Sequence, residues 1–272
     1  MRAVRGRGRG EEGGKRERDP KKKKTLSPPH FFPLALPRFD TAVEEAQRSL
    51  LAAKVEASST SRGVGLVRLM GRQSGYIAMN ASMASGVVDL CLIPEVPFTL
   101  PALTAAIERV LERKGHAVVC VAEGAGQDII EAAAAAAASG GATSSNGGGS
   151  GSPLHALGTT DASGNPILSD VGTFLKGVIK ARVPGADVKY IDPSYMIRAV
   201  PTNSSDRIYC KVLGQGAVHG AFAGYTDFTV GLVNTHYVYL PIPVITQAAR
   251  TVDPKGRAWN RLKVAIRQPD MA

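Results

Sequence analysis

From Phe39 onward the sequence alternates strand-like apolar runs with segments of helical period, and this alternation constrains the fold more than any other feature. Val43, Ala46, Leu50, Ala53 and Ala57 recur at the spacing of one helix face. Thr41 and Glu44 have capping-box spacing, and Asp40 adds negative charge near the same helix start. Val64–Met70 reads as a strand, a Gly/Ser turn follows, and Ile77–Ala84 reads as a helix of small residues. Val88–Ile93 is a strand ended by Pro94. Leu103, Ile107, Val110 and Leu111 mark an amphipathic helix, His116–Ala122 a Val-rich strand, and Glu123–Gln127 the loop after it. Strands spaced by helices predict an α/β fold, a mainly parallel sheet with helices on both faces. Such sheets bind ligands at the carboxyl ends of their strands. Met70–Arg72, Pro94–Glu95 and the loop at Glu123 all fall at such ends.

The pattern breaks once and then resumes. Ala132–Ala138 are seven consecutive alanines, followed by a Gly/Ser tract. Alanine extends helices readily, and Gly/Ser tracts are flexible linkers. An insertion near 132–160 is therefore expected to be disordered surface chain without chemistry. Val171, Phe174, Leu175, Val178 and Ile179 then share a helical face, and Asp187–Ile191 is strand-like. Asp206–Tyr225 reads as a long helix whose Gly214, Gly216 and Gly220 fit close packing. Phe228–Val233 and His236–Leu240 read as two strands around an Asn234-Thr235 turn.

The charge sits mostly in front of this region. The chain carries a net +10, and 11 of its 33 Lys and Arg but only 4 of its 23 Asp and Glu precede Thr25. Residues 1–38 combine that basic run with a Pro- and aromatic-rich stretch, and are expected to form a disordered leader. Charge runs are usually solvated, so a solvated leader is favoured over a nucleic-acid-binding arm. No apolar h-region follows the charges, which argues against a secretory signal. Glu11, Glu12, Glu17 and Asp19 argue against an organelle transit peptide. No apolar run has the length of a membrane-spanning helix. Cys91, Cys120 and Cys210 form no C-x-x-C pair and read as small hydrophobes of a reduced, intracellular chain.

Three blocks carry a resemblance: Val67–Ala78 (VRLMGRQSGYIA), Val121–Gln127 (VAEGAGQ) and Tyr190–Ala199 (YIDPSYMIRA). Together they resemble the plant-type ATP-dependent 6-phosphofructokinases. Phe39–Gln47, Cys91–Phe98 and Ala217–Tyr225 are similar to further segments of that family, in the same order, so the likeness runs from Phe39 to about Asp270. The resemblance implies transfer of the γ-phosphoryl of ATP to the 1-hydroxyl of fructose 6-phosphate with Mg²⁺, in glycolysis. It also implies oligomers, and a cytoplasmic enzyme with a plastid one as the other option. It assigns Met70, Gly71 and Arg72 to fructose 6-phosphate, Glu123 to the sugar hydroxyls, and Tyr195 with Arg198 to the 6-phosphate. The residue types suit those roles. A guanidinium forks onto phosphate oxygens, and a carboxylate in a Gly-flanked loop accepts hydrogen bonds from hydroxyls. Arg207 is a weaker addition to that cluster, while His219 reads as a packing residue and His236 has no matched role.

The resemblance also implies a Gly-Gly-Asp-Gly-Thr loop around the nucleotide phosphates and a Thr-Ile-Asp-Asn-Asp segment supplying a general base. Neither occurs in this sequence, and no Asp or Glu lies between Pro20 and Phe39. No catalytic base and no ATP or Mg²⁺ ligands are therefore assigned within it. The expectation is a truncated phosphofructokinase, inactive on its own. The alternative is a noncatalytic sugar-phosphate-binding or regulatory subunit of a phosphofructokinase oligomer.

Overall fold

The computed structural model describes residues 38–139, 167–247 and 250–271. The expected leader, apart from Arg38, and the Gly/Ser part of the insertion lie outside the described residues.

Four strands, β1 (Gly63–Leu69), β2 (Leu90–Leu92), β3 (His116–Ala122) and β4 (Asp187–Ile191), form one sheet in the order β2-β3-β1-β4. Every pairing in it is parallel, as predicted. Strands buried on both faces are near-continuously apolar, and β1 and β3 fit that description. Their register runs from Gly63 opposite His116 to Leu69 opposite Ala122, so the two strands end flush and their loops leave side by side.

Helices cover both faces. Helix α1 (Phe39–Ser58) and α2 (Tyr76–Ser85) bury Leu50, Ala53, Ala78 and Met79 against Val67 and Leu69 of β1. Helix α3 (Leu100–Lys114), α4 (Gln127–Ser139) and α5 (Val171–Arg182) lie opposite, with Leu103, Ile107, Ile130 and Leu175 packed around Val64 and Leu66. The Asp170 carboxylate caps α5 by accepting from the Gly172 and Thr173 amides. Helix α6 (Ser194–Ala199) follows β4, and α7 (Ser204–Phe222) starts at an Asn203 cap.

Strands β5 (Phe228–Val233) and β6 (His236–Pro241) make an antiparallel hairpin. Asn234 and Thr235 have φ of 47° and 69°, the left-handed pair that a two-residue turn of this hand requires. Gly216 and Gly220 of α7 let the hairpin approach, since a Cβ on Gly220 would lie 2.4 Å from the Phe228 ring; Gly214 faces open space. After α8 (Ile242–Ile245), helix α9 (Arg257–Ile266) buries Trp259 and Leu262 on the α1–α2 side. The residue Gln268 beyond it donates to the Cys91 carbonyl and accepts from the Cys91 amide, at 3.1 and 2.7 Å, sealing the free edge of β2.

Several expectations need correction. The capping box at Thr41 is not formed: α1 starts after Arg38 with no side-chain cap, and the Thr41 amide and hydroxyl both donate to Asp206. The strand at Val88–Ile93 shortens to three residues because it pairs on one side only, and Asp89 turns its carboxylate to the Val118 amide and Lys114. The insertion expected to be disordered from 132 is helical as far as Ser139, where α4 ends. High alanine propensity and continuity with α4 account for this. Cys91 and Cys120 are buried as expected, but Cys210 is exposed.

Candidate active site at the carboxyl edge of the sheet

The flush ends of β1 and β3 build one edge of the site. Beyond Leu69 the two loops stay stitched: the Glu123 amide donates to the Leu69 carbonyl and the Gly124 amide to the Gly71 carbonyl, both at 2.9 Å. Gly71 has φ of 148°, a conformation that favours glycine, and its missing Cβ would fall 2.5 Å from the Ser74 carbonyl. This backbone pairing brings Arg72 Nε to 3.7 Å from Glu123 Oε1, with both side chains partly exposed. A cation and a carboxylate are thus presented together at the solvent edge, one suited to phosphate oxygens and the other to hydroxyls. Met70 is half-buried against the α1–α2 core, so its side chain also packs.

The next strand over, β4, delivers the other pair. Tyr195 is 81% exposed on α6 and Arg198 is exposed on the same helix. The Arg198 guanidinium makes no hydrogen bond or ion pair among the described residues. The structure therefore joins Arg72 to Glu123 directly and carries Tyr195 and Arg198 on a separate element beside them.

A second polar cluster lies between these pairs and escaped the sequence reading. Arg68, within the apolar run of β1, bonds to Asp192 at the end of β4 and lies 3.6 Å from Asp170. The Tyr190 hydroxyl donates to Asp170 at 3.2 Å. Burial pushes the Tyr190 phenol well up; the Arg68 cation opposes this, and the Asp170 and Asp192 carboxylates reinforce it. At Asp192 burial alone would raise the carboxyl. The hydrogen bonds from Ser194 and the Arg68 guanidinium outweigh it and hold the group below its ordinary value. The signal available in sequence was a lone arginine inside a buried strand, which demands a partner.

The remaining candidates have structural occupations. Glu95, at the end of β2, accepts from the Gly75 amide at the start of α2 and from the Val252 amide. Arg207 donates to the Thr202 carbonyl at 2.8 Å. His219 and His236 are exposed, so His219 is not the packing residue its sequence context indicates. Cavities lined by Asp89, Arg113 and Arg267 open at the amino end of β2, away from this edge; the paired loops, not those hollows, carry the recognisable chemistry. Among the described residues no three His, Cys, Asp or Glu converge as a metal cluster.

Sheet and edge together define an α/β protein with its candidate ligand site at the strand ends. The sequence model of the family described as phosphofructokinase matches residues 38–221. The chain belongs to the phosphofructokinase family. It is 49% identical over 239 residues to ATP-dependent 6-phosphofructokinase 5, chloroplastic, of Arabidopsis thaliana, covering 85% of this chain and 40% of that protein. It is 47% identical over 237 residues to ATP-dependent 6-phosphofructokinase 1 of the same plant, covering 85% and 46%. A solved pyrophosphate-dependent phosphofructokinase from Marinobacter aquaeolei shares the fold with a TM-score of 0.56 at 16% identity, over 86% of this chain and 54% of that one. The chain spans less than half the length of these two plant relatives.

Proposed function

We propose that these residues form the hexose-phosphate side of an ATP-dependent 6-phosphofructokinase. The observation that carries this reading is the pairing of Arg72 with Glu123 across two stitched loops at the carboxyl edge. In the reaction, the 1-hydroxyl of fructose 6-phosphate attacks the γ-phosphorus of ATP. The new P–O bond forms as the bond to the ADP oxygen breaks, and the hydroxyl proton passes to a general base that is not among the residues assigned here. Mg²⁺ and ATP, when bound, supply charge neutralisation and the phosphoryl group.

The part played by this chain is binding and orientation. Glu123 accepts from sugar hydroxyls. Arg72 lies beside Met70 and Gly71 to hold the sugar phosphate, and Tyr195 with Arg198 grips the 6-phosphate. Two anchored ends fix the rotation of the hexose and so the direction of its 1-hydroxyl. ATP as donor is supported by the names of the plant relatives, which are ATP-dependent 6-phosphofructokinases. Calorimetric titration of fructose 6-phosphate against the chain tests the binding role; absence of saturable binding overturns it.

The subunit reading has its own support. Val218, Phe222 and Tyr225 of the α7 region and Tyr237 and Tyr239 of the hairpin expose a run of apolar surface. Contiguous apolar surface of this kind marks contact sites, in line with association among phosphofructokinase subunits. Sedimentation of the chain at increasing concentration tests it. No helix among the described residues is long and apolar enough to cross a membrane. The chloroplastic relative supports a plastid protein beside the cytoplasmic expectation, and import into isolated chloroplasts tests that.

A further inference from the structure

Helix α6 carries Tyr195 and Arg198 but has little of its own to hold it in place. It is six residues long, and helices well below about 12 residues are marginal without outside support. Tyr195 and Met196 point to solvent, at 81% and 69% exposure. Ile197 alone is buried, against the core shared by Val67 and Leu69 of β1. Ile197 seats the underside of the helix in that core beside α1, and the two ends of the helix are tied by polar contacts.

Both ends are held by guanidinium groups from elsewhere in the chain. At the amino end, Asp192 Oδ1 accepts from the Ser194 amide at 3.1 Å and from the Ser194 hydroxyl at 2.6 Å. Its other oxygen, Oδ2, accepts from Arg68. At the carboxyl end, Arg38 Nη2 donates to the Arg198 carbonyl at 3.1 Å and to the Val200 carbonyl at 2.8 Å. Those are terminal carbonyls, which lack partners inside the helix. Arg68 also stands on the same strand as the Met70–Arg72 loop, four residues before Arg72. A single rigid strand therefore delivers Arg72 at its end and, through Asp192, locates the start of the helix that bears Arg198.

We propose that Arg68 and Arg38 are positioning residues for the hexose-phosphate site: through Asp192 and the last carbonyls of α6 they set where Tyr195 and Arg198 stand relative to Arg72. This rests on the binding role given above to Tyr195 and Arg198. Neither arginine touches the ligand. Each acts by leaving a short helix one orientation, so that Arg198 meets the phosphate without a search.

The test uses the full chain with Arg68→Met, Arg68→Lys and Arg38→Met. Amide hydrogen exchange across 194–199 is read beside calorimetric affinity for fructose 6-phosphate. The expected result is faster exchange in α6 for both Met variants, with α3 and β3 unchanged. Affinity falls about tenfold, and Lys at 68 recovers part of both losses. Unchanged exchange in α6 overturns the positioning role. Faster exchange with undiminished affinity overturns the link to the hexose phosphate. If the unaltered chain binds no fructose 6-phosphate, the binding role of the site fails, while the exchange result still decides whether the two arginines hold α6.

Discussion

Gly124 lies so close to Arg72 that a Cβ on the glycine would stand 1.8 Å from the Arg72 carbonyl oxygen. Two loops from neighbouring strands meet there with no room for a side chain, and the contact aligns Arg72 with Glu123. Gly124→Ala must push the Arg72 backbone away and break the hydrogen bond that the Gly124 amide donates to the Gly71 carbonyl. The expected result is a loss of about 1–3 kcal/mol in denaturant unfolding together with weaker fructose 6-phosphate binding. Gly86→Ala serves as a control, because a Cβ there meets no neighbour within 4 Å and only its left-handed backbone is strained. Equal effects of the two variants on binding contradict the account.

Glu95 is a strand-end carboxylate whose surroundings show a structural role. It joins the start of α2 to the segment at Val252 by accepting two backbone amides. Glu95→Ala leaves those amides without their acceptor and is expected to cost about 1–3 kcal/mol in chemical denaturation. Glu95→Gln keeps one acceptor oxygen and is expected to cost less. Neither variant is expected to alter hexose-phosphate affinity in the folded protein, whereas a selective loss of affinity assigns Glu95 to the site.

Asp192 gives the site an acid limit. Its carboxyl is held below the ordinary value in the folded protein, so its stabilising contribution is complete above the unfolded pKa of about 3.9. That contribution is lost as pH falls through the lowered folded value. The stability difference between the unaltered chain and Asp192→Asn is therefore expected to stay constant from about pH 8 to about pH 5 and to shrink only below about pH 4. Urea unfolding at a series of pH values checks this. A difference that shrinks near neutrality contradicts the sign of the shift.

The parts of the fold legible in sequence are those with local causes. The Val-rich runs at Val64–Met70 and His116–Ala122 appear as the two central strands, and Asn234-Thr235 forms the expected turn. Met70–Arg72 and the loop at Glu123 were visible as strand ends, although nothing local shows that β1 and β3 finish flush. Helix α6 was not legible as a helix, because a six-residue element following Pro193 offers less than two turns of periodicity. Thr41 misled for the opposite reason. Its spacing to Glu44 is locally sound, but Asp206, 165 residues away, takes its hydroxyl. The partnership of Arg68 with Asp192 spans 124 residues and leaves only the oddity of an arginine in an otherwise buried strand.

The most direct measurement is calorimetric titration of fructose 6-phosphate against Arg72→Met, Arg198→Met and the double variant, each checked for folding by circular dichroism. Loss of a charged hydrogen bond to phosphate costs about 2 kcal/mol, roughly thirtyfold in affinity. The account predicts a loss of that order for each single variant and no measurable binding for the double. A folded double variant that binds fructose 6-phosphate as tightly as the unaltered chain contradicts it.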